Sequence, residues 1–152
     1  MGEILVQRGP DRLRLAKVTA PPFIPELDLP VPGSLDLPAV GLRLEALLLD
    51  HVPGYRPPSG NFSVAFDLGL LPDLLTVRGR RPGDRFTPFG SPGSKSLKKF
   101  LIDQRIPRWK RPEIPLVLSG NEILWVVGLR RGDGHPVTPE TRRILELRAT
   151  SL

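Results

Sequence analysis

Ile114-Pro115-Leu116-Val117-Leu118-Ser119-Gly120-Asn121-Glu122-Ile123-Leu124-Trp125-Val126-Val127-Gly128-Leu129 is two apolar runs joined by a polar turn. Each run has strand length and is rich in Ile, Leu and Val, and Ser119-Gly120-Asn121 between them is a turn cluster. The stretch predicts a β-hairpin. Its second run is apolar at successive positions rather than alternate ones. Such a strand has both faces covered, so it is expected to be central and buried.

The same reading extends outward. Residues 3–8 and 12–17 predict a first hairpin about the turn Gly9-Pro10-Asp11. Residues 20–38 carry six prolines and predict an extended connector that cannot be helical. Alternating patterns predict strands over 41–49, 62–67 and 74–78, and a short final strand over 144–148. The stretch 51–60 reads as a Pro/Gly-rich loop, 68–73 as a turn or a single helical turn, and 88–93 as a loop. One helix is predicted over 95–104, with Ser94 as its N-cap and Pro107 ending the segment. Leu97, Phe100 and Leu101 fall at i, i+3 and i+4 and are assigned to a core, with Lys95, Lys98 and Lys99 on the opposite side and Ile102 near them. The expectation is one α+β domain over 1–152, mostly β, with a sandwich-like layered β core and one surface helix at about 94–104.

Bulk composition narrows the function. The chain has 152 residues and a formal charge of +6. The interval 78–111 alone holds eleven Lys and Arg against Asp84 and Asp103, which is +9, so the remainder is net negative. A local excess of this kind makes a patch that attracts a polyanion. The bland alternative is a solvated face that aids solubility. The chain has no cysteine and only two histidines, His51 and His135, so disulfides and thiolate metal sites are excluded and a zinc site is not expected. No apolar run approaches the roughly 18 residues of a membrane span. No long apolar stretch near the N-terminus suggests a secretory signal, and a cytoplasmic protein is expected. Met1-Gly2 fits the start of a short protein and the start of a cut-out fragment alike.

Several local patterns have structural readings. Gly90-Ser91-Pro92-Gly93-Ser94-Lys95-Ser96 lacks the glycine that precedes the lysine of a phosphate loop, and no apolar strand leads into it. Nucleotide binding is rejected there, although free backbone N–H groups at a helix start suit a phosphate. Asp84 is assigned to a turn with Pro82-Gly83, and Asp103 to an ion pair with a neighbouring cation. Trp125 is assigned to the core. Trp109, between Arg108, Lys110 and Arg111, is assigned to packing the helix against the sheet, with base stacking as the alternative. Arg131-Gly132-Asp133 is read as a turn. Neither histidine has a triad partner nearby, and no catalytic or metal-ligating set emerges.

Five motifs in order carry a family resemblance: R-x-R-R-P-G-D-R-F (78–86), G-S-K-x-L-K-K-F-x-I-D (93–103), I-P-R-W-x-R (106–111), I-P-L (114–116) and I-L-W-V-V-G-L-R (123–130). In this order and spacing they resemble the C-terminal domain of bacterial tRNA(Ile)-lysidine synthetase. The match is close over 75–130 and looser before it, through Pro32-Gly33 and Val64-Ala65-Phe66-Asp67. The resemblance implies a β-rich layered fold, related to a domain of a phenylalanyl-tRNA synthetase subunit. It also implies tRNA as partner, held by the acceptor stem. The family's enzymes join lysine to the wobble cytidine of isoleucine tRNA with ATP, in an N-terminal domain bearing a Ser-Gly-Gly-x-Asp-Ser loop. That loop is not in this sequence, so ATP and lysine belong to a catalytic domain supplied in cis or in trans, and no cofactor is expected here. The residues expected to contact nucleic acid are Arg78, Arg80, Arg81, Arg85, Lys95, Lys98, Lys99, Arg105 and Arg108. A protein-interaction module docking on an acidic surface is the alternative function.

Overall fold

In the computed structural model, residues 24–152 are described in full, together with the backbone of two strands before them. Those two, β1 (Glu3–Arg8) and β2 (Leu13–Val18), pair antiparallel from Glu3↔Val18 to Arg8↔Leu13, as the first hairpin pattern predicts. The turn expected at Gly9-Pro10-Asp11 lies outside the described residues, as does the beginning of the proline-rich connector.

The connector is where expectation and structure part. It contains two strands, β3 (Leu27–Pro30) and β4 (Gly33–Leu37), followed by a 3-10 turn at Pro38–Val40. Then come β5 (Leu42–Asp50), β6 (Ser63–Asp67) and β7 (Leu74–Arg78). Two-residue strands β8 (Arg85–Phe86) and β9 (Lys95–Ser96) precede the helix α1 (Leu97–Asp103). A 3-10 turn, Arg108–Glu113, leads to β10 (Leu116–Ser119), β11 (Glu122–Val126), β12 (Arg130–Arg131) and β13 (Arg143–Ser151).

Besides the two-stranded pairs β1-β2 and β8-β9, the strands build two larger antiparallel sheets. One has the order β12-β11-β10-β7-β3, the other β4-β5-β13-β6. β3, which ends on Pro30, and β4, which lies between Pro32 and Pro38, each sit at a sheet edge, where a missing backbone donor is tolerated. In the four-stranded sheet β13 runs beside β5 from Arg143↔Asp50 to Ser151↔Leu42, so the expected short last strand is in fact a long one.

The five-stranded sheet is covered on both faces. One face meets the other sheet over a core that includes Leu29, Leu44, Phe66, Leu75, Val77, Val117, Trp125 and Leu145. The other carries α1 over Phe86, Leu97, Phe100, Leu101, Leu116, Leu118, Ile123 and Val126. The alternation along β10 divides its residues accordingly: Val117 faces the sandwich, Leu116 and Leu118 the helix. On β11 the register slips by one. Val117 pairs with Trp125 but Leu118 pairs with Ile123, which leaves Leu124 as the extra residue of a bulge. Leu124 and Trp125 therefore both enter the sandwich core. This is a mostly β, layered fold with few helices.

The helix starts later than predicted. Ser96, not Ser94, is its N-cap, and the Ser96 hydroxyl accepts from the Lys99 backbone N–H at 3.1 Å. Lys95 and Ser96 are instead drawn into the ladder with Phe86 and Arg85, a pairing that local helix signals do not contain. Leu97, Phe100 and Leu101 are buried as expected, and Ile102 is half exposed. No helix of the described residues is long and apolar enough to cross a membrane.

Candidate nucleic-acid interface

The basic block lies on the helix side of the five-stranded sheet, and pairing parity puts it there. Arg78 ends β7 opposite Leu116, whose side chain faces the helix layer, so Arg78 emerges on that face too. The chain then turns through Pro82-Gly83, where Gly83 has φ 85°, a conformation that favours glycine. The turn returns Asp84 to Arg78. The guanidinium grips the carboxylate with two bonds, of 2.9 and 3.0 Å, and donates a third to the Gly79 carbonyl. Burial alone raises the Asp84 pKa, but the Arg78 bonds, the Arg81 backbone N–H and the charges of both arginines outweigh it and hold the carboxyl below its ordinary value. Asp84 thus has the turn role expected of it. Arg78 is 9% exposed and its donors are committed to the turn.

The remaining expected contact residues separate into groups. Arg80, Arg81, Lys98 and Arg108 line one shallow depression of about 420 Å³, with Pro82, Gly83, Asp84, Ser96 and Leu97. A fifth cation, Arg111, lines it as well, and the sequence reading left it out. The available signal was spacing. Residues three apart eclipse on a 3-10 turn, so Arg108 and Arg111 share a side. Arg80, Arg81 and Pro82 also border a second depression of about 320 Å³, formed with Ile24, Glu26, Arg78, Gly79 and Pro112. Arg81 donates to Glu26 at 3.1 Å, an exposed pair that contributes little to stability.

Lys99 and Arg105 are exposed outside the depression. Arg105 has φ 58°, and its N–H and that of Gln104 close the helix end onto Ile102 and Phe100. Lys95 pairs with Asp103 at 3.5 Å, the ion pair expected of that aspartate. Arg85 lies apart: it donates to Ser94 and borders a different depression, with Glu122 and Asp133. Among the described residues, Lys98, Lys99, Arg105 and Arg108 have no carboxylate within ion-pair distance.

The helix start is less open than expected. The Leu97 N–H donates to the Asp84 carbonyl at 2.8 Å, and the Lys99 N–H to Ser96. What the site offers is side-chain charge on segments that are tied together. Trp109 corrects the sequence reading outright. It is 73% exposed and does not pack the helix on the sheet; the buried Ile114 and the Arg111 Nε, which donates to the Ile106 carbonyl, anchor that turn instead. Trp125 is core, with its indole N–H on the Asn61 carbonyl at 3.2 Å.

Arg131 has the opposite fate from the depression's cations. It stands opposite Trp125 and so faces the sandwich. Its guanidinium lies 4.2 Å from the Phe66 ring centre and 4.8 Å from that of Phe89. It donates to the carbonyls of Ala65, Gly132 and Gly134, joining the edge of one sheet to the edge of the other. Burial pushes its pKa down to about 10, against a raising influence from Asp133, so it remains a cation at neutral pH.

Comparison with known proteins agrees with this fold. The family model described as TilS substrate C-terminal domain matches residues 75–147. A tRNA(Ile)-lysidine synthase of Geobacter sulfurreducens is 38% identical over 150 residues, 96% of this chain and 31% of that protein. One from Caldanaerobacter subterraneus subsp. tengcongensis is 36% identical over 122 residues, 80% of this chain and 26% of that protein. The chain thus spans about a third or less of the length of these curated relatives. A crystal structure of a TILS C-terminal domain superposes with a TM-score of 0.71 at 32% identity, covering 84% of this chain and 98% of that one. With its fold and nearly the whole of a solved domain in common, the chain belongs to the C-terminal-domain family of the tRNA(Ile)-lysidine synthases.

Proposed function

We propose that this domain binds tRNA, gripping the acceptor stem through its phosphates while a catalytic domain, in cis or in trans, joins lysine to the wobble cytidine with ATP. The observation that carries the reading is the depression at the turn and helix. Five cations line it, and its one carboxylate is already engaged by Arg78. Cations grouped in a depression whose segments are hydrogen-bonded together suit a polyanion, and among the described residues only Arg81 of the five pairs with a carboxylate. An A-form duplex offers phosphates and 2′-hydroxyls rather than readable base edges in its deep groove, so contacts by Arg80, Arg81, Lys98, Arg108 and Arg111 would follow shape. Arginine adds two-bond contacts to a phosphate, which lysine cannot make. Lys99 and Arg105 extend the surface along the strand path, while Arg78, Arg85 and Lys95 hold the elements that present it.

In the longer enzyme such a domain would fix one end of a rigid tRNA so that the distant wobble base reaches the ATP site. Two weak contact sets on one molecule then act as one strong one. The reading implies work in the cytoplasm, where tRNA is modified in bacteria.

Salt titration of binding to an isoleucine tRNA transcript tests it. With about four phosphates neutralised, log K should fall against log salt with a slope of roughly −3 to −4. Affinity that does not change with salt, or no affinity at low salt, rejects phosphate tracking.

A further inference from the structure

Trp109 stands against the usual drive to bury an indole. It is 73% exposed, in a turn whose other members are held. Lys110 N–H donates to Pro107, Ile114 N–H to Arg111, and the Arg111 Nε to the Ile106 carbonyl at 3.1 Å. The turn is thereby fixed at both ends while the ring between them stays in solvent. Its sequence neighbours Arg108 and Arg111 line the cationic depression, and Lys110, the next residue in the chain, is exposed. Among the described residues, the cation–π contacts are both made by Arg131, so none of these neighbours spends the Trp109 face.

A flat aromatic face with cations on either side matches the chemistry of an unpaired nucleotide: a base to stack and a phosphate to neutralise. A duplex offers no such base along its length, because its bases are stacked on one another. A tRNA acceptor stem ends in unpaired nucleotides. We infer that Trp109 is a stacking platform for an unpaired base next to the last base pair of the acceptor stem, so that the domain recognises the junction between duplex and single strand. This rests on the tRNA-binding reading above. A protein partner with an acidic surface would also meet the cations, but it would leave the ring without an aromatic counterpart.

The test uses two RNAs: an isoleucine tRNA transcript with its unpaired 3′ end, and the same transcript cut back to the last paired nucleotide. The unaltered chain is expected to bind the intact RNA more tightly. Trp109→Ala should weaken binding to the intact RNA by about 5- to 140-fold, the range of one base–aromatic stack, and should erase the difference between the two RNAs. Trp109→Phe keeps a ring and should retain part of the preference. Binding of intact RNA should quench tryptophan emission in the unaltered chain and not in Trp109→Phe, a signal that a purely structural residue would not give. If the chain binds both RNAs equally and Trp109→Ala changes neither affinity, the stacking inference fails while phosphate tracking stands. An equal loss on both RNAs overturns it too, since the unpaired base then plays no part. If the unaltered chain binds neither RNA at low salt, the tRNA-binding reading fails and the inference with it.

Discussion

Two arginine-bearing regions of this molecule use the same guanidinium for opposite purposes. At the β12 edge Arg131 is enclosed by two phenyl rings and three carbonyls, and it ties one sheet to the other. At the turn and helix, Arg80, Arg108 and Lys98 line an open depression, and among the described residues none of the three has a carboxylate within ion-pair distance. Arg78 stands between the two cases. It lies within the basic block, yet it is buried and bonded to Asp84. A count of positive charge in sequence thus measures the sum of two populations. Only the backbone decides which cations find acceptors inside the fold and which are left for a partner.

The sharpest way to break this division is at Arg78. Removing its side chain strands Asp84 in a nearly enclosed turn, where the two side chains are 11% and 12% exposed. Arg78→Ala should cost about 3–4 kcal/mol of stability, measured by denaturant unfolding. A smaller but still large loss, about 2–3 kcal/mol, is expected for Arg131→Ala, because buried carbonyls lose a charged donor. Arg131→Lys should recover little of it, since one ammonium cannot reproduce the planar fork. In both variants the RNA affinity of the molecules that remain folded should be near that of the unaltered chain.

Acid titration separates the populations more gently. The Asp84 pKa is lower in the folded chain than its unfolded value of 3.8. Its contribution is therefore fully present above pH 3.8 and is lost as pH falls through the lower, folded value. Unfolding free energy should drop with acid in that window, and Asp84→Asn should flatten that part of the profile. At the far end of the scale, Lys98→Ala with Lys99→Ala should shift stability by less than about 0.5 kcal/mol, as expected of exposed positions. The same pair should weaken tRNA binding and make the salt dependence shallower. A stable double variant with unaltered affinity would remove this helix face from the interface.

How much of this the sequence disclosed depends on where each residue finds its partner. In the strand Leu74–Arg78 the buried Leu75 and Val77 alternate with the less buried Leu74 and Thr76, so the alternation is visible in the residues themselves. The strands at Leu27–Pro30 and Gly33–Leu37 were hidden because prolines in or beside them normally argue against a strand; Pro30 is admissible at an edge. The helix face was legible from Leu97, Phe100 and Leu101, but its first residue was not, because Arg85 and Phe86, some ten residues earlier, claim Lys95 and Ser96. For the candidate site, the basic segment could be seen as a whole, and its internal division could not. The Arg78–Asp84 pair needs the Gly83 turn, the exposure of Trp109 leaves no mark in composition, and Arg111 joins the depression only through a 3-10 turn.

The bulge at Leu124 settles more than the seat of one tryptophan. β12 is read off β11 by direct pairing, Trp125 with Arg131 and Val126 with Arg130. Since Leu124 is the residue by which the count slips, it fixes odd and even for everything paired after it. Without that slip Trp125 would turn to the helix layer, Arg131 would follow it out of the sandwich, and Arg130 would take the inner position. One uncharged residue in the middle of a strand is thus the frame marker that assigns two adjacent arginines, identical in chemistry, to different tasks.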